Sequence, residues 1–214
     1  MAEIQELLEQ VKANAGELLA RGANHPAYAT TLDALVDKGA HAVRPVLDAM
    51  HGQMPPNQDP REVIEALGWV LGQIAARDAG PLLEVLVRDD VPPDPQMTFV
   101  VLALRHSKDE RAMDAVIAAL KHPSQTVRHA AADVLAQGRG KRVVTALLDA
   151  LRDRSSSVKF VAVEAMHRRA DLRDPRALDA LRRIVATPSL RQRSPGMVRM
   201  AQEVIARIRP TRPA

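Results

Sequence analysis

Apolar residues recur along the chain at the spacing of one face of a helix. Ile4, Leu7, Leu8, Val11, Ala15, Leu18 and Leu19 step by three and four positions, which predicts an amphipathic helix over residues 1–21 ending before Gly22. Its other face carries Glu3, Glu6, Glu9 and Glu17, as a capping helix that turns a polar surface to water requires. A helix pair follows over Pro26–Asp37 and His41–Met50, around Gly39, with Leu32, Leu35, Val36, Val43, Val46, Leu47 and Met50 as its inward positions. Met54–Pro60 is too rich in proline for helix and predicts a loop. Two further pairs are expected, Arg61–Ala76 with Ala79–Arg88 and Met97–His106 with Arg111–Lys121. A second proline-rich loop, Asp89–Gln96, separates them.

Between Ser124 and Thr187 the chain repeats itself. A shift of 31 lays Val127 on Val158, Arg128 on Lys159, Ala131 on Ala162 and Leu135 on Met166. A shift of 34 then lays Arg142 on Arg176, Val144 on Leu178, Leu147 on Leu181 and Leu151 on Val185, with the extra residues in the turn Ala170–Arg176. The same shift of 34 relates Leu82, Leu83 and Leu86 to Val116, Ile117 and Leu120. A helix–turn–helix unit at this period marks an α-solenoid, in which each unit buries its apolar stripe on its neighbours. Ser189–Gly196 is expected to be a basic loop, 197–209 a C-terminal helix, and Pro210–Ala214 a tail without structure. The expectation is one all-α domain over 1–214, a right-handed α–α superhelix of about five helix pairs between the capping helix and the last helix.

The pattern Ser/Asp-x-x-Val-Arg/Lys-x-x-Ala-Ala…Leu, followed by an Ala/Leu-rich second helix, stands at Ser124–Leu151 and Ser155–Val185. It resembles HEAT repeats, in particular the short bacterial type named after phycobilisome lyases. The resemblance covers Met97–Arg209 and is weak before Ala79. It implies a fold and leaves the activity open, since such proteins include adaptors and scaffolds, regulatory subunits, chromophore lyase subunits and a DNA glycosylase group. In the family the Arg of Val-Arg commonly pairs with an Asp of the preceding turn. Carried over, this would give Asp153 to Lys159 and leave Arg128, preceded by His122 at that position, without an acid.

Composition narrows the function. There is no cysteine, hence no disulfide framework and no thiolate site. The start MAEIQELLEQ is unlike a signal peptide, and the longest apolar run, Met97–Leu104, is far short of a membrane span, so a cytoplasmic protein without membrane contact is expected. None of His25, His41, His51, His106, His122, His129 and His167 has the spacing of a paired metal ligand. The His-Glu pairs of the iron-binding HEAT-type hydroxylases are missing. One Trp, one Tyr and two Phe offer little of the aromatic groove that the resembling glycosylases use. With no nucleophile–base pattern or phosphate loop either, neither catalysis nor a cofactor is expected.

Charge is divided unevenly. Residues 1–107 hold 8 Lys and Arg against 15 Asp and Glu, a net −7, and residues 108–214 hold 22 against 11, a net +11. Under the repeat shifts Arg111, Arg142 and Arg176 share one position near the start of the second helices, and Lys121 and Arg152 another near the end. Cations suit a helix end and not a start, where the macrodipole is already positive. Asp109 and Asp174 can relieve Arg111 and Arg176 as N-caps, but the turn Gly138–Arg142 carries Arg139, Lys141 and Arg142 with no acid of its own, and its free N–H groups suit an oxyanion. In the family the second helices line the concave face, which would place Arg111, Lys121, Arg142, Arg152, Arg176, Arg182 and Arg183 on one basic surface. The expected function is a non-catalytic scaffold or adaptor that holds an acidic protein partner there, head-to-tail self-association being one form of it. The alternative is nucleic-acid binding, with glycosylase-like DNA repair as its enzymatic extreme.

Overall fold

A computed structural model describes residues 1–21, 26–52, 59–87 and 94–208, with side chains at 1–15, 30–52, 59–86 and 95–208. The expectations for the two proline-rich loops fall largely outside the described residues, as do those for His25 and the tail. Thirteen α-helices are present among the described residues, with short 3-10 segments and no strand. They run α1 (Ala2–Arg21), α2 (Pro26–Asp37), α3 (Ala40–Ala49), α4 (Pro60–Arg77), α5 (Gly80–Val87), α6 (Asp94–Ala103), α7 (Glu110–Ala119), α8 (Gln125–Gln137), α9 (Lys141–Ala150), α10 (Ser156–Arg168), α11 (Leu178–Ala186), α12 (Pro188–Arg193) and α13 (Pro195–Arg207). Among the described residues no helix is long and apolar enough to cross a membrane.

Two compact units divide the chain, Met1–Ala115 and Val116–Ala214. In the first, α4 is central, packing on α1, α2, α3, α5 and α6. All seven inward positions expected of α2 and α3 are buried. In the second unit α8, α10 and α13 lie side by side, α9 packs on α8 and α10, and α11 packs on α13. Leucine and alanine let these helices close without large rings: Leu135, Leu147 and Leu151 are fully buried, with Met166 and Leu172. Burying each such side chain is worth about 1.5–3 kcal/mol.

The structure corrects the sequence reading at three segments. Pro60 is not in a loop but stands at the first position of α4, where its missing N–H costs nothing, behind Asp59 as N-cap. Helix α6 begins at Asp94 rather than Met97 and passes into a 3-10 turn over Leu104–His106. Ser189–Gly196 is no simple loop, since α12 fills Pro188–Arg193, started by Pro188, and Pro195 opens α13 directly after it. Gly140 precedes α9 at φ 101°, a left-handed conformation that a side chain would strain.

Candidate functional site

Three Asp-x-Arg segments close a helix start in one way. Asp59, Asp109 and Asp174 accept the backbone N–H of Arg61, Arg111 and Arg176 at 2.9, 2.8 and 2.8 Å. Each carboxylate also holds the guanidinium of the same arginine, at 2.8, 2.7 and 2.8 Å. Arg111 and Arg176 are therefore spent on their own caps, in separate units. The hydrogen bonds from these arginine side chains, first, and from the backbone hold all three carboxyls below the ordinary aspartate range. A depressed folded pKa contributes stability that is present above the unfolded pKa and is lost as pH falls through the folded one. The melting temperature is expected to stay level from neutral pH to about 5 and to drop below about 4. A thermal scan that stays flat to about pH 2.5 contradicts these caps.

The other cations are arranged differently. Lys121, Lys141 and Arg142 are exposed. Arg152, in the turn after α9, and Arg182, on α11, reach Asp149 and Asp179, three residues earlier, only at 3.7 Å. Acids of α8 and of the following repeat flank the glycine turn: Arg139 shares a cavity of about 410 Å³ between α8 and α10 with Arg168, Arg169, Asp133 and Glu164. Arg168 pairs with Glu164 at 2.8 Å, and the charge of Arg139 reaches Asp171. Arg169 donates to the carbonyls of Ala136 and Gly138 at 2.7 and 2.8 Å and pairs with Asp171 at 2.7 Å. Part of the turn's polar capacity is thus used to hold one repeat on the next.

Arg128 overturns the pairing that the repeat pattern implies. It is not without an acid: its side chain is 5% exposed and forms a two-pronged pair with Asp153, Nε to Oδ2 at 2.8 Å and Nη2 to Oδ1 at 3.1 Å. Its Nη1 donates to the carbonyls of His122 and Pro123 at 3.0 and 2.8 Å. The acid comes from the following turn rather than the preceding one, so Asp153 serves Arg128 and not Lys159.

Lys159 is released by this exchange, and its place is informative. With Arg152 from the turn after α9 and Arg183 from α11 it lines a cavity of about 190 Å³ whose apolar walls are Leu151, Ala180, Ile184 and Leu190, with Thr187 also in the lining. No acid lines this cavity. Three cations around a small recess suit one carboxylate or phosphate group with a short apolar stem. Arg152 and Arg183 are among the expected binding residues, and Lys159 is not. Its signal was the 31-residue shift onto Arg128, which makes the two cations equivalent candidates for Asp153. Among the described residues no three of His, Asp and Glu gather to hold a metal ion.

The helix pairs and their period define a helical-repeat protein. Residues 97–167 and 113–195 match the family model for HEAT repeats, and this part of the chain is built of HEAT repeats. The crystal structure of an engineered protein is similar at 18% identity, with 97% of each chain covered and a TM-score of 0.48. A designed armadillo repeat protein in complex with the peptide (KR)4 is similar at 16% identity, over 94% of this chain and 98% of that one, with a TM-score of 0.46. Human deoxyhypusine hydroxylase in complex with glycerol is similar at 17% identity, over 96% and 98%, also with a TM-score of 0.46. No curated protein matches the chain.

Proposed function

We propose that this HEAT-repeat protein is a non-catalytic interaction module whose second unit holds an acidic protein partner, with a partner carboxylate seated among Arg152, Lys159 and Arg183. The observation that carries this reading is that Arg152, Lys159 and Arg183 line one recess that has no acid in its lining. The +11 balance of residues 108–214 supports it, because a field of one sign gathers an oppositely charged partner before contact. Arg142 and Arg182, with Lys121, Arg139 and Lys141, extend the basic surface and set on-rate more than affinity.

A fluorescein-labelled oligoglutamate peptide tests this by anisotropy at two salt concentrations. Binding to the wild-type chain should weaken at the higher salt. Lys159→Glu with Arg183→Glu should weaken it about tenfold or more, since each reversal places like charges together. Equal affinity for the double variant sinks the recess as the site. Duplex DNA that binds more tightly than the peptide, and loses affinity steeply with salt, replaces the acidic protein by nucleic acid.

A further inference from the structure

Aromatic residues are scarce in this chain, with one Trp, one Tyr and two Phe, yet Trp69 and Phe99 line the same cavity of the first unit. The buried core is mainly Leu, Val, Ile and Ala, while both rings stay half-exposed. The cavity lies between α4 and α6 with the 3-10 turn after it, has a volume of about 510 Å³, and has Ile64, Leu102 and Ala103 among its apolar walls. That volume is in the range of small-molecule sites, roughly 300–1,000 Å³. The His51 ring lies beside Phe99, centroids 6.3 Å apart. Gly68 is also in the lining and has no packing reason to be glycine, for a Cβ there would meet only Met50 Cε, at 4.0 Å. A glycine inside a helix is less stable than an alanine, and here it leaves the wall next to Trp69 without a side chain.

Of the charged groups in the lining, only the acid is unengaged. The Arg61 guanidinium is held in both prongs by Asp59, at 3.2 and 2.8 Å, so its charge is compensated where it stands. Arg105 is engaged as well, with its Nε on the Leu102 carbonyl at 3.2 Å. Burial, then the charge of Arg105, hold His106 below the ordinary histidine range, so at neutral pH it is an uncharged hydrogen-bonding group. The Glu65 carboxylate is exposed, and among the described residues no hydrogen bond or ion pair holds it. Glu65 and Trp69, four residues apart, share one face of α4. His106 lies against Gly72, where a Cβ would come within 2.8 Å of its ring. Gly72 is seven residues after Glu65, about 10 Å along the helix axis, so His106 marks the end of the cavity away from Glu65. Residues 1–107 carry a net −7, a field that gathers cations before contact.

We infer that this cavity binds a small organic cation, a flat apolar body of one or two rings bearing a single ammonium group, with the ammonium at the Glu65 carboxylate and the rings against Trp69 and Phe99 at the Gly68 wall. An ammonium there gains both the carboxylate and the indole face one helical turn further on, and each attraction strengthens as the apolar body displaces water. A carboxylate ligand would meet Glu65 with both arginines already engaged. This site is independent of the basic recess of the second unit and takes a ligand of the opposite charge.

Trp69, the chain's one tryptophan, supplies the reporter, a single indole N–H resonance in a ¹⁵N-correlated spectrum. Titration with 2-naphthylmethylammonium should shift that resonance and saturate with a Kd below about 1 mM. Two probes with the same rings, the uncharged 2-naphthylmethanol and the anionic 2-naphthylacetate, should bind about fivefold more weakly or worse. Glu65→Gln, at an exposed position, should keep helical dichroism and bring the ammonium probe down to the affinity of the alcohol. Gly68→Leu, which fills the open wall with a good helix former, should abolish the shift, and Gly68→Ala should weaken it if the leucine variant does not fold. An unmoved indole signal overturns the site. Equal or tighter binding of either other probe, an ammonium affinity unchanged in Glu65→Gln, or full binding to both Gly68 variants overturns it as well.

Discussion

Arg128→Met is expected to lower the unfolding free energy by about 3–5 kcal/mol, the cost of breaking a buried ion pair by removing one partner. The guanidinium makes four hydrogen bonds inside the second unit, two to Asp153 and one each to the carbonyls of His122 and Pro123. Methionine fills similar space and makes none of them. The Pro123 carbonyl still receives Arg154 at 2.7 Å, but Asp153 is left with the Ser155 N–H at 2.7 Å as its remaining hydrogen bond. Burial raises the pKa of Asp153, and the Arg128 hydrogen bonds with the Ser155 N–H outweigh it, so the carboxyl is held below its ordinary value. Its contribution is present above the unfolded aspartate pKa and lost as pH falls through the folded one, and in the variant this acid dependence should shrink. Arg111→Met, by contrast, breaks an exposed, solvent-screened pair and should cost far less. Urea titration of both variants checks the ranking. A loss below about 1 kcal/mol for Arg128→Met would make the buried pair no more than a surface one.

The repeat itself was legible, because stacking demands the same small apolar residues at the same positions in each unit. Val127 and Val158, Ala131 and Ala162, and Leu135 and Met166 are all buried as the shift requires. The arginine clamp was not legible, since Arg128 and Asp153 are 25 residues apart and the choice between Asp153 and an earlier acid depends on how one turn sits against the next. Helix α12 was hidden because four of its six residues, Ser189, Arg191, Gln192 and Arg193, are polar or basic, and Leu190 alone gives no apolar stripe to read. Its helix rests on Pro188 and on hydrogen bonds such as that from Leu190 N–H to the Thr187 carbonyl, at 3.1 Å.

Leu147→Ala should cost about 2–5 kcal/mol, the range for emptying a leucine site in a close-packed core. Leu147 is 0% exposed on α9, which packs on both α8 and α10. Its repeat mate Leu181, on α11, is also 0% exposed. If the repeats are physically equivalent, Leu181→Ala should lose an amount within about 1 kcal/mol of Leu147→Ala, although its neighbour is α13. In a solenoid stability is a sum over units and their interfaces, so the location of the loss is as informative as its size. Hydrogen exchange should accelerate across α8, α9 and α10 by about 30-fold or more for a loss of 2 kcal/mol or more. Amides of α4 around Leu67 and Leu71 belong to the other unit and serve as the reference. Equal acceleration there would mark 1–214 as one cooperative domain; acceleration confined to the second unit would make the two units separate folding bodies. A Leu147→Ala variant that melts within about 1 °C of the wild type would contradict a filled core at α9.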